Sequence, residues 1–140
     1  MKQITLDGIT LALAGSVELD LTWVGQEELL QQLIATDDGS AHLGEVALVP
    51  FDSPISRSGI LFFNTLFDEN AACHLALGKA YPTCLQGGEE MDSVTLLQHG
   101  VNDSLIHEDF MIGSRDLSIT GRTKDGKELP IFRDGNFVDF

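Results

Sequence analysis

The run SLIHEDFMIG sets an imidazole and two carboxylates, His107, Glu108 and Asp109, between Leu105-Ile106 and Phe110-Met111-Ile112. Its apolar flanks read as a buried strand, where an ionised carboxylate is costly unless something pairs with it. Side chains two apart on an extended strand point the same way, so His107 and Asp109 share a face and Glu108 looks out the other side. A neutral imidazole and a carboxylate so placed make a good pair of ligands for a divalent first-row metal ion. The pattern also arises by chance, and a hydrogen-bonded His–Asp pair explains it equally well.

A second cluster lies in FDENAACHLALGKAY. Its acids, its alanines and the closing Gly78 predict a short helix starting near Asp68. Five residues at about 100° each would turn His74 roughly 140° away from Glu69, so one helical face cannot present both to a single ion. They serve two ions, or one lies where the helix is not yet regular. Glu69 could equally complement the dipole of a helix N-terminus, and His74 could be a core histidine holding a backbone carbonyl. Glu45 opens a strand in HLGEVALVP, where an acid is often only a solvated strand end. Tyr81 is the single tyrosine. Its phenol titrates near 10 when unperturbed, so at neutral pH it is a donor, or a ligand against a metal ion; packing with a satisfied hydroxyl is the commoner fate.

Other candidates carry less. His42 reads as a loop residue, and His99 sits at a predicted helix C-terminus, where partial positive charge is stabilising. Gly87-Gly88 has no lysine or helix start placed to cradle phosphate, and Ser56 and Ser58 lack a Gly-x-Ser-x-Gly elbow.

The elements that must position these residues can be read along the chain. QITLDGITLALA alternates apolar residues about Asp7-Gly8, a hairpin signal. GQEELLQQLIATDDG carries Leu29, Leu30, Leu33 and Ile34 on one helical face. GEVALVPFDSP predicts a short buried strand ending at Pro50, and GILFFNTLF a second apolar strand. DSVTLLQHG predicts a helix with Asp92 or Ser93 as cap and Gly100 as terminator. Strand-like pieces then follow SLIHEDFMIG, with tight turns at Asp125-Gly126 and Asp134-Gly135. The expectation is a single α+β domain with a mostly antiparallel sheet and two or three helices.

With 140 residues and 43% hydrophobic content, the chain can build one real core. Eight Lys+Arg against 22 Asp+Glu give a net charge of −14. That balance excludes nucleic acid as a partner, since its binding rests on basic side chains. It suits metal ions or cationic substrates, or serves solubility alone. No apolar run approaches the roughly 20 residues that span a bilayer, and the start MKQITLDGIT has no long apolar core of a secretory signal. A cytoplasmic protein without a membrane partner is expected, with Cys73 and Cys84 as free thiols.

Taken in order, LGEVALVPFDSPIS, GILFFNTLFDENAACHLALGKAYPTC, GVNDSLIHEDFMIGS and ELPIFRDGNF closely resemble the C-terminal part of the M29 metallo-aminopeptidases, from about Ile34 to Phe137. The resemblance implies a pair of divalent metal ions, zinc or cobalt with manganese possible, and removal of N-terminal residues from peptides with a free N-terminus. It implies Glu45 as a ligand bridging the two ions, Glu69, His74, His107 and Asp109 as further ligands, and Tyr81 as ligand or transition-state donor. It also implies a homodimer. Members of the family are much longer, with a large N-terminal domain and a further glutamate ligand upstream. Glu18, Asp20, Glu27 and Glu28 are in poor context to replace it. Residues 1–140 are therefore expected to be a C-terminal catalytic, metal-binding domain whose site is incomplete alone. The rival expectation is a non-catalytic dimerisation or metal-binding module derived from such an enzyme; a third has all these residues structural.

Overall fold

A computed structural model of the chain describes residues 2–6, 9–14 and 27–139. The fold is α+β with antiparallel pairing, as the sequence leads one to expect, and the chain divides into two compact units. One comprises Met1–Leu19, Leu48–Cys73 and Met111–Phe140; the other comprises Asp20–Ala47 and His74–Phe110. Among the described residues no helix is long and apolar enough to cross a membrane.

The first unit holds a five-stranded sheet. Strands β1 (Lys2–Leu6) and β2 (Ile9–Ala14) form the expected hairpin, with Leu6 opposite Ile9. Its Asp7-Gly8 connection lies outside the described residues. Strands β6 (Ser118–Arg122), β7 (Glu128–Arg133) and β8 (Asn136–Phe137) complete the order β1-β2-β6-β7-β8. Leu117, Ile119 and Phe132, in or next to these strands, are buried. Asp134 and Gly135 both adopt positive φ, 49° and 72°, the left-handed pair that a two-residue hairpin of native twist requires.

Between these strands the first unit carries helices α2 (Pro54–Ser58) and α3 (Thr65–Asp68). Ser53 caps α2, its hydroxyl accepting from the Ser56 amide. The strand expected in GILFFNTLF does not form. Instead the Asp68 carboxylate accepts from the backbone amides of Phe62 and Asn64 at 2.9 and 3.0 Å, which closes a local loop with Phe63 at φ 54°. A carboxylate that captures main-chain donors competes with a strand ladder. Ile60, Leu61, Phe63 and Leu66 are left exposed.

The second unit holds a three-stranded sheet in the order β3-β4-β5, from β3 (Leu43–Ala47), β4 (His74–Gly78) and β5, which spans His107–Met111. β3 and β4 are antiparallel. Bonds from Lys79 N–H to the Ile106 carbonyl and from Ile112 N–H to the Cys73 carbonyl flank the β4–β5 pair and give it the same sense. The helix expected over DENAACHLALG is a misreading. Glu69–Ala71 makes one 3-10 turn, and His74–Gly78 is the central strand, almost wholly buried. Two ladders outweigh the helical preference of its alanines and leucines, since strand formation depends on pairing and burial more than on the residue alone. Helices α1 (Glu27–Ile34) and α4 (Ser93–Gln98) form where expected. Asp92 caps α4 by accepting from the Thr95 amide at 2.8 Å.

Candidate metal centre

Glu45 reaches its position through an irregularity in β3. Leu43 faces Leu77, but the next pair is Glu45 with Ala76, because the register slips at Gly44. Were Gly44 paired regularly with Ala76, the ladder would set Glu45 opposite Leu75, on the face away from His74. The bulge moves Glu45 to the face that carries Ala76 and His74, since one residue of slip exchanges the two faces. Only glycine fits there: a Cβ on Gly44 would lie 2.5 Å from the Gly78 carbonyl oxygen and closer still to that of Lys79.

His74 comes from β4, and His107 and Asp109 from one face of β5. His74 Nε2 lies 3.2 Å from Glu45 Oε1, and His107 Nε2 lies 3.5 Å from Glu45 Oε2. One carboxylate thus addresses two imidazoles, one oxygen each. His107 Nε2 is also 3.6 Å from Asp109 Oδ1, and donor atoms of Glu45, His107 and Asp109 all fall within 4.8 Å of one another. His74 is buried, while Glu45, His107 and Asp109 keep 29%, 20% and 14% of their side-chain surface. The hollow is therefore shielded but reachable. Glu108 is exposed on the opposite face.

The protonation pattern shows what this cluster requires. His107 Nδ1 lies 2.6 Å from the Lys79 carbonyl oxygen, which can only accept, so Nδ1 carries the proton of the neutral ring. Nε2 then turns a lone pair toward two carboxylate oxygens. Asp109 Oδ1 is buried without a hydrogen-bond partner among the described residues. Three electron-rich atoms converging in a shielded place repel one another unless a metal ion sits among them or a proton joins the Nε2 lone pair. Bonds of about 2.0–2.2 Å to a tetrahedral zinc ion would separate neighbouring ligand atoms by roughly 3.3–3.6 Å. The 3.5 and 3.6 Å separations at His107 match that edge. The residues fit a divalent metal ion.

The other candidates fall as follows. The Tyr81 ring rests against the His107 imidazole, with centroids 5.0 Å apart, and is 47% exposed. Glu69 belongs to the other compact unit, half-buried in the turn Glu69–Ala71. His42 is a loop-side residue whose Nδ1 meets the Asp38 carbonyl at 3.0 Å. A broad hollow of about 640 Å³ on the second unit, lined in part by Asp37, His42, Lys79 and Leu97, contains none of the four clustered side chains. The sequence reading missed the Gly44 bulge and the Lys79 carbonyl. An isolated glycine inside a strand pattern was the available signal for the first; a backbone acceptor leaves none.

Comparison with known proteins bears on the same residues. The family model described as thermophilic metalloprotease (M29) matches residues 5–137, so the likeness extends well upstream of Ile34. Aminopeptidase 2 of Geobacillus stearothermophilus is 57% identical over 133 residues, covering 95% of this chain and 32% of the relative. Aminopeptidase T of Thermus aquaticus is 43% identical over 136 residues, with the same coverage of both. The solved structure of wild-type AmpT from Thermus thermophilus superposes with a TM-score of 0.71 at 48% identity, covering 82% of this chain and 28% of that one. The chain spans about a third of the length of the curated relatives it matches.

Proposed function

Because the chain belongs to the M29 metalloprotease family, we propose that residues 1–140 form the C-terminal, metal-binding domain of an aminopeptidase. The observation that carries this is the convergence of His107 Nε2 with carboxylate oxygens of Glu45 and Asp109, the Asp109 oxygen being buried without a hydrogen-bond partner among the described residues. Glu45, His74, His107 and Asp109 would hold the divalent ions, Glu45 offering one carboxylate oxygen to the side of each imidazole. Glu69 and a ligating role for Tyr81 enter on the resemblance to the family. Mixed nitrogen and oxygen donors suit zinc, cobalt or manganese. Bound there, such ions bring proton loss from a water into the neutral range, polarise a peptide carbonyl and hold a neutral α-amine.

The remaining work falls to side chains. Tyr81, held against His107, donates to the oxygen on which charge develops, an interaction stronger in the transition state than in the ground state. A carboxylate not wholly engaged, Glu45 or Glu69, carries the proton to the leaving amine. The substrate is a peptide with a free N-terminus, and the assembly is a homodimer.

Calorimetric titration of the metal-free chain with zinc, followed by assay on a leucyl amide, tests the proposal. Binding with little turnover is the expected result for residues 1–140 alone, since they span about a third of the length of the curated aminopeptidases they match. Absence of binding in the folded chain would overturn the metal assignment. Rapid turnover would show that residues 1–140 suffice for the reaction.

A further inference from the structure

We propose that Asn102 is a positioning residue for the metal centre: it clamps the Gly78–Ala80 backbone so that the Lys79 carbonyl holds the proton of His107 on Nδ1 and leaves Nε2 open. The inference rests on the metal reading above. The Asn102 side-chain amide donates to the Gly78 carbonyl at 2.6 Å and to the Gly39 carbonyl at 2.8 Å. Both neighbours are acceptors, so the nitrogen must face them and both of its protons are used. The Asn102 backbone carbonyl in turn accepts from Ala80 N–H at 2.8 Å. Asn102 therefore grips the residues on either side of Lys79. The Lys79 amide is fixed as well, donating to the Ile106 carbonyl at 2.7 Å. With its peptide held at every neighbouring point, the Lys79 carbonyl keeps one direction, toward His107 Nδ1 at 2.6 Å.

The clamp matters because of what faces the other ring nitrogen. Glu45 Oε2 and Asp109 Oδ1 are both acceptors, 3.5 and 3.6 Å from Nε2. Were the Lys79 carbonyl to turn away, the ring would place its proton on Nε2 and donate it to one of them. That tautomer offers no lone pair to a metal ion. A backbone acceptor on the distal nitrogen is the usual means by which a ligand histidine is kept in its binding tautomer.

Nitrogen-15 NMR of the metal-free chain at pH 8.5 reads the tautomer directly. The wild-type His107 ring should carry its proton on Nδ1. In Asn102→Ala the signal should shift toward the Nε2–H form, and zinc affinity by calorimetry should fall ten- to a hundredfold, the range for loss of a residue that orients a ligand. If Asn102→Ala does not fold, Asn102→Asp, which keeps the shape but donates nothing, is read in its place with the same expectation. An Nε2–H ring in the wild type would overturn the proposal. So would a folded variant that keeps the Nδ1–H ring and wild-type zinc affinity. If the wild type holds the Nδ1–H ring, loses it in the variant and yet binds no zinc, the positioning role stands and the metal reading falls.

Discussion

Asp109 is the residue on which the account bears most heavily. Its Oδ1 is buried without a hydrogen-bond partner among the described residues, a cost that a metal-free chain carries for no structural return. Asp109→Asn should therefore stabilise the metal-free chain, by roughly 1–3 kcal/mol in chemical denaturation. The same change should abolish most of the added stability that excess zinc gives the wild type, about 2.7 kcal/mol at a hundredfold excess over Kd. A variant that is less stable without metal and still responds to zinc would show that Asp109 has an ordinary structural partner. Asp37 is the contrasting case. Its carboxylate accepts from the Leu105 amide at 2.7 Å and from Ser40, Ser104 and Gly39, which holds its pKa below the usual carboxylate value. A group depressed in the folded state adds stability that is complete above its unfolded value, about 3.9, and lost as pH falls through the folded one. Asp37→Asn should flatten that acid limb while leaving zinc affinity unchanged. An unaltered acid limb would remove Asp37 from the list of residues that pin the loop.

Ladders and registers decide what an element presents. The period-two logic of HED placed His107 and Asp109 on one face of β5, and the structure agrees, because two residues on a regular strand admit no other arrangement. The same logic fails at Glu45, whose face depends on a bulge that no alternation of residue types announces. It fails again at His74, where a helix was expected and a central strand exists; its ladder partner on one side is Ala47, 27 positions earlier, and the strand on its other side begins at His107, 33 later, out of reach of any local window. GILFFNTLF shows the reverse error, an apolar run taken for a strand and closed instead by the Asp68 carboxylate. Gly44→Ala tests the register argument. Its Cβ would collide with the Lys79 and Gly78 carbonyl oxygens, so the bulge should not survive. Glu45 should then leave the face of His74, and zinc affinity should fall by more than the hundredfold that marks loss of a merely orienting residue. A variant that folds and binds zinc like the wild type would show that Glu45 reaches the site without the bulge.

At the scale of the whole chain, composition told least and motif order told most. A charge of −14 is compatible with metal binding and with mere solubility, whereas four separated blocks in sequence pointed to a family that the comparison then established over residues 5–137. The proposed homodimer finds support in the exposed apolar side chains Ile60, Leu61, Phe63 and Leu66 of the first unit. Surfaces of that kind mark association sites more often than chance. Phe63→Ser combined with Leu66→Ser should shift the chain toward monomer in analytical ultracentrifugation with zinc affinity unchanged. A wild type that sediments as a monomer at all concentrations would remove the dimer from the account.

The most direct measurement is anomalous diffraction at the zinc edge from crystals of the chain soaked in zinc. A peak is expected about 2.0–2.2 Å from His107 Nε2 and from carboxylate oxygens of Glu45 and Asp109. Those three side chains ordered as described, with no peak among them, would contradict the metal assignment.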